Sequence, residues 1–129
     1  MEIGKILFDK KLHFTRDSLV RYAGASGDFN AIHYRDDVAQ QVGLPGVLAH
    51  GMLTMGAAIS PLFEDLGMTV LDYSVRFSKP VLVDAENGAE LRVSAEVLEI
   101  DGDRIKLAIK ALFNDQTVMA KSFAWVQNA

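Results

Sequence analysis

Gly51-Met52-Leu53-Thr54-Met55-Gly56-Ala57-Ala58-Ile59-Ser60-Pro61-Leu62-Phe63-Glu64-Asp65-Leu66 is apolar around nearly its whole circumference as far as Ile59. That is the pattern of a helix buried on all sides. Gly56, Ala57 and Ala58 are small, so a sheet can lie close against it. Pro61 has no N–H and is expected to kink the helix or to start a new turn after Ser60. The sequence that follows alternates. Leu71, Tyr73, Val75 and Phe77 interleave with Asp72, Ser74, Arg76 and Ser78. Leu91, Val93, Ala95 and Val97 interleave with Arg92, Ser94 and Glu96, and Ile105, Leu107, Ile109 and Ala111 with Arg104, Lys106, Ala108 and Lys110. Period two predicts strands with one buried and one wet face. Asp101-Gly102 is a strong hairpin signal and Asn114-Asp115 a weaker one. A last strand is expected from about Thr117 to Val126, where Met119, Phe123 and Trp125 leave room for a mixed face.

N-terminal to the helix, Ile6 to Phe14 reads as a strand, with Ile6, Phe8, Leu12 and Phe14 on one parity and Lys10 the exception. Thr15 is a natural N-cap for a short helix from Arg16 to Ala23, with Asp17 in its first turn and Gly24 as its stop. Gly24 to His33 is expected to be loop. Asp36 caps a second short helix, Asp37 to Val42, ended by Gly43, and Leu44-Pro45-Gly46 forces a turn. One strand, short helices, an apolar helix and four strands joined by tight turns make an α+β chain. Wrapping a curved antiparallel sheet around a central helix buries both apolar surfaces, the arrangement called a hotdog.

Composition narrows the class. The chain has 129 residues, 50% hydrophobic and 23% charged, which predicts a single globular domain over 1–129. A net charge of −4 and the lack of a Lys/Arg run argue against nucleic acid as a partner. With no cysteine there is no disulfide, no thiolate catalysis and no Cys-ligated zinc. Nothing calls for a metal or an organic cofactor. The N-terminus Met1-Glu2-Ile3-Gly4-Lys5 has no signal-peptide pattern, and the run from Val47 to Phe63 is too short and too interrupted to span a membrane. A cytoplasmic protein with no membrane partner is expected.

The chemistry concentrates between Tyr22 and Gly56. Asp28-Phe29-Asn30-Ala31-Ile32-His33 sets a carboxylate and an imidazole in a loop opened by Gly24, Ser26 and Gly27, and Ala49-His50-Gly51-Met52 opens the apolar helix. An acid/base pair can share one water. The first N–H of a helix lacks an intrahelical partner and lies at the positive end of the dipole, so Gly51 is a candidate oxyanion donor. Glycine there also lets a substrate come close to the backbone. Such donors contribute roughly 3–4 kcal/mol to a barrier. Asn30 reads as a hydrogen bonder that holds the loop or Asp28, and His50 as a residue that caps or packs beside the site. Tyr22 reads as core or pocket wall, and His13 as surface.

These residues resemble the hydratase motif of the MaoC-like, (R)-specific enoyl hydratase family, which has the hotdog fold; the similarity spans nearly the whole chain. The family pattern has proline where this chain has Ala31, a departure that touches no reacting group. The resemblance implies a hydro-lyase that interconverts a (3R)-hydroxyacyl thioester and a trans-2-enoyl thioester plus water, in fatty-acid or related acyl metabolism. It implies that Asp28 activates water and that His33 holds it and protonates; the residues alone leave that split open. Phe29, Ile32, Met52 and Met55, with Ile59, are candidate walls for the acyl chain. The carrier is CoA or an acyl carrier protein, and Arg76 and Lys79 are cations available at the tunnel mouth. A single small hotdog leaves a sheet edge open, so a homodimer, or a heterodimer with a related hotdog subunit, is expected. Two other readings compete: a hotdog acyl-CoA thioesterase, and a non-catalytic subunit of a dehydratase heterodimer.

Overall fold

Two tight turns organise the second half of the chain in the computed structural model, which describes residues 1–128. Gly102 takes a left-handed φ of 62° between β3 (Ala89–Asp101) and β4 (Arg104–Phe113). Asn114 and Asp115 have φ of 50° and 59°, and they join β4 to β5 (Gln116–Gln127). Two consecutive positive-φ residues make the turn whose twist matches that of the flanking strands, and Asn and Asp tolerate it best after glycine. The turn that looked weaker in the sequence is therefore as well formed as the other. With β1 (Ile6–Phe14) and β2 (Thr69–Phe77), these strands form one antiparallel sheet in the order β1-β3-β4-β5-β2.

The period-two reading holds best at the centre of this sheet. Leu91, Val93, Ala95 and Val97 on β3, and Ile105, Leu107, Ile109 and Ala111 on β4, are all buried on one face. It fails at the β2 edge. Tyr73 and Val75 are half-buried there, but Leu71 and Phe77 are 43% and 48% exposed. Register shifts between Val70 and Asp72 and between Ser74 and Arg76 interrupt the alternation, and among the described residues no further strand covers that side. In β5 a left-handed Lys121 (φ 47°) changes parity. Val118 and Met119 are consecutive and both buried, after which Ser122, Ala124 and Val126 face the core and Phe123 and Trp125 lie half-buried on the outer face.

Helix α1 spans Arg16–Ser26, α2 Asp36–Gln41 and α3 Gly51–Glu64. Thr15 caps α1 as expected, its hydroxyl accepting from Ser18 N while the Ser18 hydroxyl accepts from Thr15 N. The stop, however, is Gly27 rather than Gly24. Only Gly27 adopts the left-handed conformation (φ 79°), with its N–H on Ala23 O. Asp36 is not the cap of α2 either. Arg35 occupies that position, and the Asp36 carboxylate instead accepts from Val47 N and the Arg16 guanidinium. Those two bonds, the backbone one first, hold its carboxyl below the ordinary value.

Helix α3 lies against the sheet along Thr54, Ala58, Pro61 and Leu62, the i, i+4, i+7, i+8 stripe of one face. Burial on all sides, expected from its composition, does not occur in the single chain. Met52, Gly56 and Phe63 are exposed, because one sheet covers only one side of a cylinder. Pro61 sits inside the helix, which continues past it to Glu64. The missing Pro61 N–H would leave the Ala57 carbonyl without its usual donor; the Ser60 hydroxyl donates to it instead, at 2.9 Å. The Tyr73 hydroxyl makes a similar bond to Met55 O at 2.8 Å, and burial pushes that phenol up from its ordinary pKa.

Candidate active site

The site is assembled from two loops and a helix start. At the end of α1 the left-handed Gly27 turns the chain, and a relay of short bonds then holds the next six residues. Asp28 N donates to the Ser26 hydroxyl, Asn30 N to Asp28 Oδ1, and Ile32 N to Asn30 Oδ1. Asn30 thereby caps a single 3-10 turn, Ala31–His33, where the sequence read only loop. These are side-chain-to-backbone turns of the kind Asn, Asp and Ser favour. They present the Asp28 carboxylate outward and carry the His33 ring inward.

The second loop fixes that ring. Residues 47–49 run beside 81–83, with Ala49 N on Val81 O, Val83 N on Val47 O and a bridge between Leu48 and Leu82. Leu48 N donates to Ile32 O, and Leu48 O lies 2.8 Å from His33 Nδ1. A carbonyl only accepts, so Nδ1 carries the proton of the neutral ring and Nε2 is free to face Asp28. The His33 Nε2 to Asp28 Oδ2 separation is 3.9 Å. That is too long for a direct hydrogen bond. It suits an oxygen atom bonded to both: at ordinary hydrogen-bond lengths, such an atom sees the two groups at an angle of about 90°. The Asp28 side chain is half exposed and that of His33 nearly buried.

His50 closes the arrangement from behind. Its residue exposure is 1%, its Nε2 donates to the Asp28 carbonyl at 3.2 Å, and its Nδ1 has no partner among the described residues. Its ring stacks on His33 with centroids 3.9 Å apart and planes at 19°, and it makes a T-shaped contact with the Tyr22 ring, centroids 4.8 Å apart. Burial, more than any other cause, pushes its pKa down from the ordinary imidazole value.

Gly51, the first residue of α3, follows directly. A methyl group at its Cα would sit 3.3 Å from the Phe77 ring, a tight contact that the ring would have to relieve by a few tenths of an ångström. Gly51 and His33 share one cavity of about 360 Å³, walled by Leu48, Thr54, Phe77, Lys79 and Val118 among others. Lys79 is thus at the cavity, whereas Arg76 is not. The four residues expected to bind the acyl chain do not line it either. Phe29 and Met52 are exposed, Ile32 and Met55 are half-buried, and Met52 lies off the sheet-facing stripe of α3. Ile59 belongs to the core. A larger groove, about 610 Å³, is lined by Arg16, Asp36, Asp84 and Glu90 among others and includes none of Asp28, His33 and Gly51.

Asp28, His33 and His50 also place a carboxylate and two imidazoles within 4.8 Å of one another, a donor set seen at metal sites. Two features weigh against a resident ion. His50 Nε2 is committed to the Asp28 carbonyl, and the two rings are stacked, so their in-plane lone pairs lie in near-parallel planes and do not converge on one point.

The family model of the MaoC like domain matches residues 3–113. This chain belongs to that family. Among MaoC-like relatives, "3-hydroxyacyl-thioester dehydratase X" of Mycobacterium tuberculosis is 42% identical over 77 residues, which cover 60% of this chain but only 27% of that protein. The (R)-hydratase from A. caviae involved in PHA biosynthesis superposes with a TM-score of 0.90 at 22% identity, covering 100% of this chain and 98% of that one. In the (3R)-hydroxyacyl-ACP dehydratase complex HadBC of M. tuberculosis, the matching chain gives a TM-score of 0.72 at 19% identity, with 97% and 96% covered. The last two establish the hotdog fold, and HadBC is a complex.

What the sequence did not show in this MaoC-like site is the scaffold under it: the Leu48 carbonyl, the Phe77 ring and the His33–His50 stack. Backbone acceptors and ring contacts across 15 or more residues leave no local pattern to read. The Ala49-His50-Gly51 triplet was the one available signal for the stack.

Proposed function

We propose that this MaoC-like chain is a hydro-lyase that interconverts a (3R)-hydroxyacyl thioester and a trans-2-enoyl thioester plus water. The observation that carries the reading is the 3.9 Å gap between Asp28 and His33, where His33, though not Asp28, lines the same cavity as Gly51. A water in that gap donates to the Asp28 carboxylate and accepts from protonated His33 Nε2. In hydration its oxygen bonds to C3 while Asp28 takes its proton, and His33 delivers a proton to C2. The charge that builds on the thioester oxygen is met by the unpaired Gly51 N–H at the positive end of α3. The Leu48 carbonyl accepts from Nδ1 and orients the ring. Dehydration runs the same steps backwards.

The substrate is the thioester of CoA or of an acyl carrier protein, both of which end in the same phosphopantetheine arm. The working unit pairs this chain with a second hotdog, another copy or a related subunit. The two open edges of the sheet differ in a way that supports this. β1 carries Asp9, Lys10 and Lys11, charges that discourage edge pairing, whereas β2 carries only Asp72 and Arg76 and exposes Leu71 and Phe77 beside the uncovered face of α3.

The test is a panel of trans-2-enoyl thioesters of increasing chain length, on CoA and on acyl carrier protein. Loss of the conjugated-enoyl absorbance without release of free thiol is the expected result. Thiol release would convert the reading to a thioesterase, and no change on any member of the panel would make the chain a non-catalytic subunit.

A further inference from the structure

A buried imidazole that wastes one of its nitrogens needs an explanation. His50 is such a group: 1% exposed, with Nδ1 lacking any partner among the described residues. If it only filled space, a phenylalanine or leucine would fill it without burying an unpaired acceptor. What the imidazole adds is one N–H and one flat face. The N–H goes from Nε2 to the main-chain carbonyl of Asp28, 22 residues away, and the face lies on His33 at 3.9 Å. The same residue is the N-cap of α3, with φ −60° and ψ 135°, directly before Gly51.

From this convergence, and resting on the hydro-lyase reading above, we infer that His50 is the positioning residue of the site, holding the Asp28 main chain, the His33 ring and the Gly51 N–H in one mutual geometry without itself touching substrate. Asp28 needs such a hold. Its other restraints are bonds within its own loop, to Ser26 and Asn30, and none ties that loop to α3. The His50 N–H is the bond that does. The Leu48 carbonyl sets the tautomer and the direction of the His33 ring, but a single hydrogen bond leaves a ring free to rock about its axis. The stacked His50 face removes that freedom, and the Tyr22 ring braces His50 in turn. The lowered proton affinity of the buried His50 ring disfavours a second charge beside a neighbour that must carry a proton during the reaction.

The test compares His50→Ala, His50→Gln and His50→Phe with the wild type, using the enoyl-CoA that the wild type hydrates fastest and the saturated acyl-CoA of equal length as a competitive inhibitor. Gln places an amide N–H near the position of Nε2, whereas Phe keeps the flat face and loses the donor. His50→Ala is expected to lower kcat by about 30-fold or more, within what an ångström of misplacement costs. KM and the inhibitor constant should stay within about threefold, the split that separates lost transition-state geometry from lost binding. His50→Gln should recover most of kcat, and His50→Phe should remain slow. A His50→Ala enzyme at wild-type kcat, a Gln variant as slow as Ala, or losses that track inhibitor affinity and Tm would each overturn the inference. Long-range imidazole ¹⁵N spectra give a readout that does not need turnover. A wild type showing His50 as the Nε2–H neutral tautomer, with the His33 ring signals displaced in His50→Ala, supports the positioning role even if the enoyl panel is inert. Unmoved His33 signals refute that role even if the panel is active.

Discussion

Asp28 and His33 differ most in how they are held, and that difference predicts how each fails. The Asp28 carboxylate is half exposed, and its loop bond is accepted by Oδ1, leaving Oδ2 toward His33. Asp28→Asn retains an acceptor for Asn30 N and removes only the charge. It should cut hydration by about 10³-fold or more, as expected when a general base is lost together with its electrostatic role, with no change in Tm. His33→Ala should abolish turnover and also cost some stability, because the Leu48 carbonyl and the His50 ring each lose a partner. Activity of either variant near the wild-type rate would remove that residue from the mechanism. His50 adds a pH dependence of stability. Its folded proton affinity lies below the ordinary imidazole value of 6.5, so below that pH the unfolded chain takes up a proton that the folded chain resists. Stability is therefore full above about pH 6.5 and falls as the pH drops through it. Thermal melts from pH 8 to pH 5 should show the decline, and His50→Gln should flatten it.

At the scale of elements, α3 has to satisfy two demands at once. For the proposed reaction its N-terminus must leave the Gly51 N–H unpaired, and its body must pack without leaving orphaned polar groups against the sheet. Pro61 threatens the second demand, and the Ser60 bond to the Ala57 carbonyl meets it. Ser60→Ala should cost about 1 kcal/mol, a fall in Tm of a few degrees for a chain of this size. The cause can be isolated: in a Pro61→Ala background residue 61 regains its N–H, the carbonyl recovers its normal donor, and Ser60→Ala should become neutral. Equal losses in both backgrounds would mean that the hydroxyl acts elsewhere. The loop of residues 47–49 is the other decisive element. Val47 is held by the Asp36 carboxylate and by Val83, Leu48 orients His33, and His50 follows at once.

At the scale of the whole molecule, one face remains unfinished. Helix α3 exposes Met52, Gly56 and Phe63, and the neighbouring β2 edge exposes Leu71 and Phe77, of which Phe77 lines the cavity with Gly51. Leu71→Glu should shift the assembly toward single chains in sedimentation and lower turnover with it. A variant that sediments and reacts like the wild type would free this edge from any role in assembly. Much of the architecture was already legible in the chain. The period-two runs at Leu91–Val97 and Ile105–Ala111, the Asp-Gly and Asn-Asp turns, the Thr15 cap and the bounds of β1 depend on neighbours close in sequence. Local chemistry therefore determines them. The pairing of Asp28 with His33 and the start of α3 at Gly51 were legible for the same reason, since a short loop and a helix N-terminus carry their signals within a few residues. Tertiary structure decided the rest. Gly27 rather than Gly24 ends α1, because only the packed chain selects which glycine turns left-handed. Lys121 changes the parity of β5, and Phe29 and Met52 stand outside the cavity, because faces are assigned by what lies across from them. The stack of His50 on His33 and the Leu48 carbonyl beneath it join residues 15 to 17 positions apart. No periodicity can encode such contacts; they exist only once the sheet has brought the two loops to the same end of the helix.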